Sequence, residues 1–82
     1  MDKPEWAAAV LDRHGRKQFI TPTGTRDSRG NLHHFTQYRG SAARFDSEGA
    51  ALARGFDYKH AEVRGGWRRH WWIEDVQAER IP

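Results

Sequence analysis

The sequence predicts a small α+β domain: an antiparallel sheet of three to four strands with one main α-helix packed on it. Three observations carry that expectation. Short β-favouring runs are separated by Gly- and Asp-containing turns, one helix start is plainly marked at residues 45–48, and the chain closes on a Trp-rich run with strand character. With 82 residues, the chain reads as a single domain, residues 1–82. A domain of this size buries only about 60 to 65% of the surface its unfolded chain exposes, so a deep catalytic cleft is hard to build. Four Trp, four Phe and two Tyr, each able to bury roughly 150 to 250 Å², are expected to supply a core that the few Leu, Ile and Val cannot.

Residues 6–12 fit two descriptions. As a strand, Trp6, Ala8 and Val10 share a face, and Asp12-Arg13-His14-Gly15-Arg16 turns into a second strand at residues 17–21, with Gly15 supplying a positive φ. As a helix, Pro4 sits in the first turn, Glu5 complements the dipole, three alanines favour helix and Gly15 caps it. The β-favouring Phe19, Ile20 and Thr21 directly after the short connection favour the hairpin. The element order is thus β-β-β-α-β, or α-β-β-α-β if the first segment is helical.

Pro22 ends the second strand or places it at an edge, because it cannot donate a ladder hydrogen bond. Residues 23–31 are rich in Gly, Thr, Ser, Asp and Arg and form an exposed loop. Residues 32–39 alternate as a third strand, with Leu32, His34, Thr36 and Tyr38 on one face and His33, Phe35, Gln37 and Arg39 on the other. Together these two strands make a hairpin with a mobile, basic tip. Phe45-Asp46-Ser47-Glu48 starts a helix over residues 47–60, capped by Asp46 or Ser47, with Leu52 and Phe56 on its buried face. Gly49 and Gly55 each weaken that helix by roughly 1 kcal/mol relative to Ala, so it needs a sheet to pack against. Gly65-Gly66 turns the chain into a last strand, residues 67–76, with Trp67, Trp71 and Ile73 facing inward and Trp72 and Val76 on the opposite face.

Charge is distributed unevenly. Residues 13–44 hold seven basic groups against Asp27 alone, whereas the rest of the chain holds seven basic and ten acidic groups. A basic middle with acidic ends points to an anionic partner for the middle, or simply to solvated strand faces. The chain has no Cys, which removes disulfides, thiolate nucleophiles and zinc–thiolate sites from consideration. The longest apolar run, residues 6–11, is too short to span a bilayer, and no signal-peptide pattern precedes it, so a cytoplasmic protein without membrane association is expected.

Five His residues invite a metal site, but His33 and His34 are adjacent and would point to opposite sides of a strand, while His60 and His70 could meet only through the tertiary fold. No metal and no cofactor is expected. Ser28, Ser41 and Ser47 lack a nucleophile-elbow context, and Ser47 fits a helix start. A small nuclease using His33 or His34 with His70 is a remaining alternative that no motif supports. The run Trp67-Arg68-Arg69-His70-Trp71-Trp72 stands out. With Trp67 and Trp71 turned inward, Trp72 faces out beside Arg68 and His70, an aromatic flanked by cations that suits a binding hot spot. A terminal helix or a second subunit covering Trp72 is the alternative.

The segment Ala42-Ala43-Arg44-Phe45-Asp46-Ser47-Glu48-Gly49-Ala50-Ala51 resembles the helix start of small proteins encoded by phages and mobile elements, among them anti-CRISPR and other anti-defence proteins. In these a strand pair is followed by such a helix start and a closing strand. The resemblance implies a non-enzymatic inhibitor or accessory factor that occupies a surface of a host nucleic-acid-processing complex, and it transfers no site residue. The expected partner-binding residues are Arg26, Arg29, Arg39, Arg68, His70 and Trp72, engaging a protein or nucleoprotein complex. Direct binding of DNA or RNA is the first alternative, and a homodimer is a further one.

Overall fold

The computed structural model describes residues 4–65 and 73–82. The elements run β1 (Glu5–Leu11), β2 (Lys17–Ile20), β3 (Phe35–Thr36), a single 3-10 turn (Arg39–Ser41), α1 (Glu48–Gly65) and β4 (Asp75–Ile81). They form one antiparallel sheet in the order β3-β2-β1-β4, with α1 packed on it. This is the expected α+β fold, in the order β-β-β-α-β. The first segment is a strand despite its three alanines, because it lies at the centre of the sheet. Ala7, Ala8, Ala9 and Val10 are all completely buried, and a strand covered on both faces reads as a continuous apolar run.

Two cores lie on either side of β1. On the helix side, Ala8, Val10, Ile20, Ala51, Ile73 and Val76 form the buried cluster, with Trp6, Phe35, Phe45, Leu52 and Tyr58 around it. On the other side, Ala7, Ala9, Phe19 and Ala42 are buried together, with Ile81 beside them. Among the described residues the core is therefore centred on small and branched side chains. Phe19 is the one buried aromatic among them, and Trp6, Phe35, Phe45 and Tyr58 pack, partly buried, around the helix-side cluster. Burying Val10 or Ile20 contributes about 1.5 to 3 kcal/mol each.

Small residues are what allow α1 to sit close to the sheet. A Cβ built on Gly55 would stand 2.3 Å from Val76 Cγ1, far inside non-bonded contact, so helix or strand would have to shift to admit it. Gly55 therefore trades helix propensity for close contact with β4. The buried stripe of α1 passes through Ala51 and Gly55, with Leu52 half-buried, and Phe56 is 41% exposed. The expectation that Leu52 and Phe56 share the buried face is thus corrected at Phe56. The helix is capped by Ser47, whose Oγ accepts a hydrogen bond from the Ala50 amide at 3.1 Å. It continues past His60 to Gly65.

The β1–β2 connection and the tip of the β2–β3 hairpin are the same five-residue turn used twice. In Asp12-Arg13-His14-Gly15-Arg16 the Asp12 carboxylate accepts from the amides of His14 (2.8 Å) and Arg16 (2.9 Å). In Asp27-Ser28-Arg29-Gly30-Asn31 the Asp27 carboxylate accepts from Arg29 (2.9 Å) and Asn31 (3.0 Å). Each aspartate carbonyl also accepts from the glycine amide, and each aspartate amide donates to the carbonyl four residues on. Gly15 and Gly30 hold φ of 80° and 84°, the left-handed region that glycine enters without a steric cost. The shared pattern is Asp-x-x-Gly-x.

Two strands differ from the sequence expectation. The third was expected over residues 32–39, but only Phe35–Thr36 pair with β2. The Thr36 hydroxyl then accepts from the Tyr38 amide, and the chain turns so that residues 43–45 can run beside Ile20 and Trp6. The last strand was expected over residues 67–76 and instead spans Asp75–Ile81, in register with all of β1 from Glu5↔Ile81 to Leu11↔Asp75. Ile73 precedes the strand and joins Val76 in the helix-side core, which corrects their placement on opposite faces. Residues 67–72 lie outside the described residues, so the expected inward placement of Trp67 and Trp71 falls there too.

Substitution of Gly55 by Ala should destabilise the fold by about 1 to 3 kcal/mol through overpacking against Val76. Ala at Gly49, where a Cβ meets nothing, should be neutral or stabilising by up to about 1 kcal/mol. Thermal or urea unfolding of the two variants checks this, and equal stabilisation by both would contradict the close packing at Gly55.

Asp12 gives a pH prediction. Desolvation by its burial works against the charge, but the Arg16 and His14 amides and the Arg16 guanidinium outweigh it, holding the carboxyl below its ordinary 3.8. A carboxylate depressed in the folded state stabilises fully above the unfolded value and loses that contribution as pH falls through the folded one. The Tm difference between the wild type and Asp12→Asn should therefore be constant near neutrality and shrink only below the ordinary carboxylate range.

Candidate functional site

The seven basic residues of the chain's middle do not form one patch. Arg16 pairs with Asp12 at 2.7 Å, Lys17 and Arg39 both pair with Glu79, and Arg44 pairs with Glu5 at 3.3 Å. The acidic partners come from the turn and strands at the chain's ends, which the sheet brings beside the basic middle. Folding thus neutralises most of the asymmetry seen along the sequence. Arg13, Arg26 and Arg29 remain exposed and outside any ion pair among the described residues.

Arg26 and Arg29 lie on an arm formed by residues 21–34. Beyond Ile20 the hairpin continues through the Thr21 amide to the His34 carbonyl (3.0 Å), the His33 amide to the Thr25 carbonyl (2.8 Å), and an Arg26↔Leu32 bridge. The buried Thr21 hydroxyl donates to the His33 carbonyl. The tip is then closed by the Asp27 turn. Arg26 Nη1 donates to the Gly30 carbonyl at 2.6 Å, and its remaining guanidinium donors are available to a ligand.

The base of the arm is fastened to α1. His34 Nδ1 lies 3.2 Å from the Tyr58 hydroxyl, and the rings of Phe35 and Tyr58 are 5.4 Å apart. Arg54 lies over the Tyr58 ring at 5.0 Å and donates to the Thr23 hydroxyl at 3.2 Å. A loop rich in Gly, Ser and Asp is thereby given a defined base, a two-stranded stem and a built tip. The signal for it in the sequence was the repeated Asp-x-x-Gly-x spacing, which sequence reasoning passed over.

Beside the base of the arm lies a recess of about 310 Å³, lined by Gln18, His33, Phe35, Thr36, Gln37 and Tyr38. Tyr38 is 71% exposed. Nothing in the sequence reading pointed to this recess, because its walls come from β2 and from residues around β3. His33 faces it while His34 turns to Tyr58, so the two adjacent histidines occupy different environments. Among the described residues no three His, Cys, Asp or Glu side chains are grouped to hold a metal ion.

Of the six expected binding residues, Arg26 and Arg29 share the tip of the arm. Arg39 is elsewhere, on the face of the sheet away from α1, held 3.6 Å from Glu79. Arg68, His70 and Trp72 lie outside the described residues. No protein-family model, curated protein or solved structure matches the chain. Among the described residues no helix is long and apolar enough to cross a membrane.

Because the two Asp turns share their hydrogen bonds but differ in burial, their loss should differ in effect. Asp27→Ala should speed amide exchange at Arg29 and Asn31 with a global stability change below about 1 kcal/mol. Asp12→Ala, at a buried carboxylate, should lower Tm measurably. Exchange NMR with thermal melts separates the two outcomes.

Proposed function

We propose that this chain is a binding protein that docks on a nucleoprotein surface through the arm of residues 21–34, as an inhibitor or accessory factor of a host nucleic-acid-processing complex. The observation that supports this reading most is the arm itself. It presents Arg26 and Arg29 on a hairpin whose shape is set by its own hydrogen bonds, while four of the neighbouring cations are engaged with Glu5, Asp12 and Glu79. An ordered two-arginine tip loses less entropy on docking than a loose loop would, so more of its contact energy appears as affinity. The arginine fork suits phosphate or carboxylate partners. The resemblance of residues 42–51 to the helix start of anti-defence proteins agrees with this role and adds no residue to it.

Comparing partner recovery from the host cell by the wild type and by the Arg26→Ala, Arg29→Ala double variant tests the proposal. Both substitutions are on exposed residues, so thermal melts should coincide. Recovery of a nucleic-acid-processing complex should fall about tenfold or more with the double variant. It should also fall when ionic strength is raised, since the screening length shrinks from about 10 Å at 0.1 M salt to about 3 Å at 1 M. Equal recovery by both proteins would remove the arm from the interface.

A further inference from the structure

The recess at the foot of the arm combines features that a purely electrostatic arm does not need. Phe35 packs against the helix-side core and gives the recess an apolar wall. Gln18, on β2, and Gln37 contribute neutral amides, and His33 an imidazole. Among the described residues, the side chains of these three and the Tyr38 hydroxyl make no hydrogen bond to another group. Tyr38, largely exposed at the edge, offers a broad aromatic face. An amide places one donor and one acceptor side by side, the pairing that the edge of a nucleobase presents. Aromatic side chains stack on bases without regard to sequence.

Geometry links this recess to the arginines. His33 lines it, and the preceding residue, Leu32, is bridged to Arg26 across the stem. A strand whose base entered the recess would therefore carry its neighbouring phosphates along the arm toward Arg26 and Arg29. Resting on the reading of the arm as a docking element, we infer that the recess beside Tyr38 receives an unpaired nucleobase of a single-stranded nucleic acid, with the two arginines on the flanking phosphates. The ring stacks on Tyr38, and the Gln18 and Gln37 amides and His33 meet its polar edge. A duplex fits poorly, because its bases are stacked and their pairing edges are occupied.

Binding of short labelled single-stranded DNA and RNA to the full chain tests this, with four comparisons run over a series of salt concentrations. Tyr38→Ala should weaken binding by roughly 5- to 150-fold at every salt concentration and leave the salt slope unchanged, whereas Tyr38→Phe should stay near the wild type. Arg26→Ala with Arg29→Ala should flatten the salt slope by about two phosphate contacts. An oligonucleotide with abasic sites keeps the phosphates and should lose the same factor as Tyr38→Ala. Free nucleoside monophosphates should bind far more weakly than the strand.

Equal affinity for the intact and abasic strands, or no effect of Tyr38→Ala, would overturn the nucleobase assignment while leaving the arm's role to the recovery experiment. A monophosphate binding as tightly as the strand would keep the nucleobase but overturn the strand as its source. Absence of single-strand binding by the wild type would overturn the proposal as a whole. Both Tyr38 variants should melt with the wild type, since Tyr38 is exposed, so a loss of binding is not a loss of fold.

Discussion

Burial of β1 on both faces is the constraint from which the rest of the architecture follows. A strand with alanines at three successive buried positions admits neighbours that come very close above and below it. Above, α1 approaches through Ala51 and Gly55 until no Cβ would fit at Gly55. Below, Ala42 and Phe19 close the second face, and Lys17 reaches over the Phe19 ring at 5.6 Å on its way to Glu79. Larger side chains on β1 would push both layers apart and uncover Val10 and Ile20. In so short a chain, thin layers let a small number of apolar residues make a closed interior.

The same packing decides the electrostatics. β1 and β4 carry Glu5 and Glu79 from the two ends of the chain, and the sheet places these carboxylates beside the basic middle. Glu79 receives two cations and Glu5 one. Pairs as exposed as these contribute little to stability individually. Their consequence is for the charge pattern: they engage Lys17, Arg39 and Arg44 and leave Arg13, Arg26 and Arg29 outside any ion pair among the described residues. Under the proposed docking role, the two guanidinium groups on the arm would offer a partner a localised contact instead of a general attraction to anions.

The arm also shows how a polar segment can be given form without a core of its own. Its stem uses backbone pairing, its tip uses one carboxylate and one left-handed glycine, and its base borrows Tyr58 and Arg54 from α1. Such a device costs little apolar surface, which this chain has little of. An exposed tyrosine and two glutamine amides lie at the foot of the arm that carries the charged tip.

Much of the fold was written locally. The turn at Asp12 to Arg16, the break at Pro22 and the cap at Ser47 each depend on residues only a few positions apart, and local hydrogen bonding with backbone preference is enough to specify them, whereas the alanine-rich first segment became a strand through its central place in the sheet. What the sequence could not specify was which side chains end up covered. Phe56 looks like a core residue and is exposed, Gly55 looks like a weak point and is the point of closest contact, and the alternation expected through Ile73 and Val76 gave way to the register that β1 imposes on β4. The basic middle read as one surface because charge was counted along the chain, while Glu5 and Glu79, which engage Lys17, Arg39 and Arg44, arrive from strands far away in sequence. The recess beside Tyr38 was invisible for the same reason. Burial, ion pairing and concavity are properties of the distances between elements, and those distances exist only once the sheet and the helix have packed.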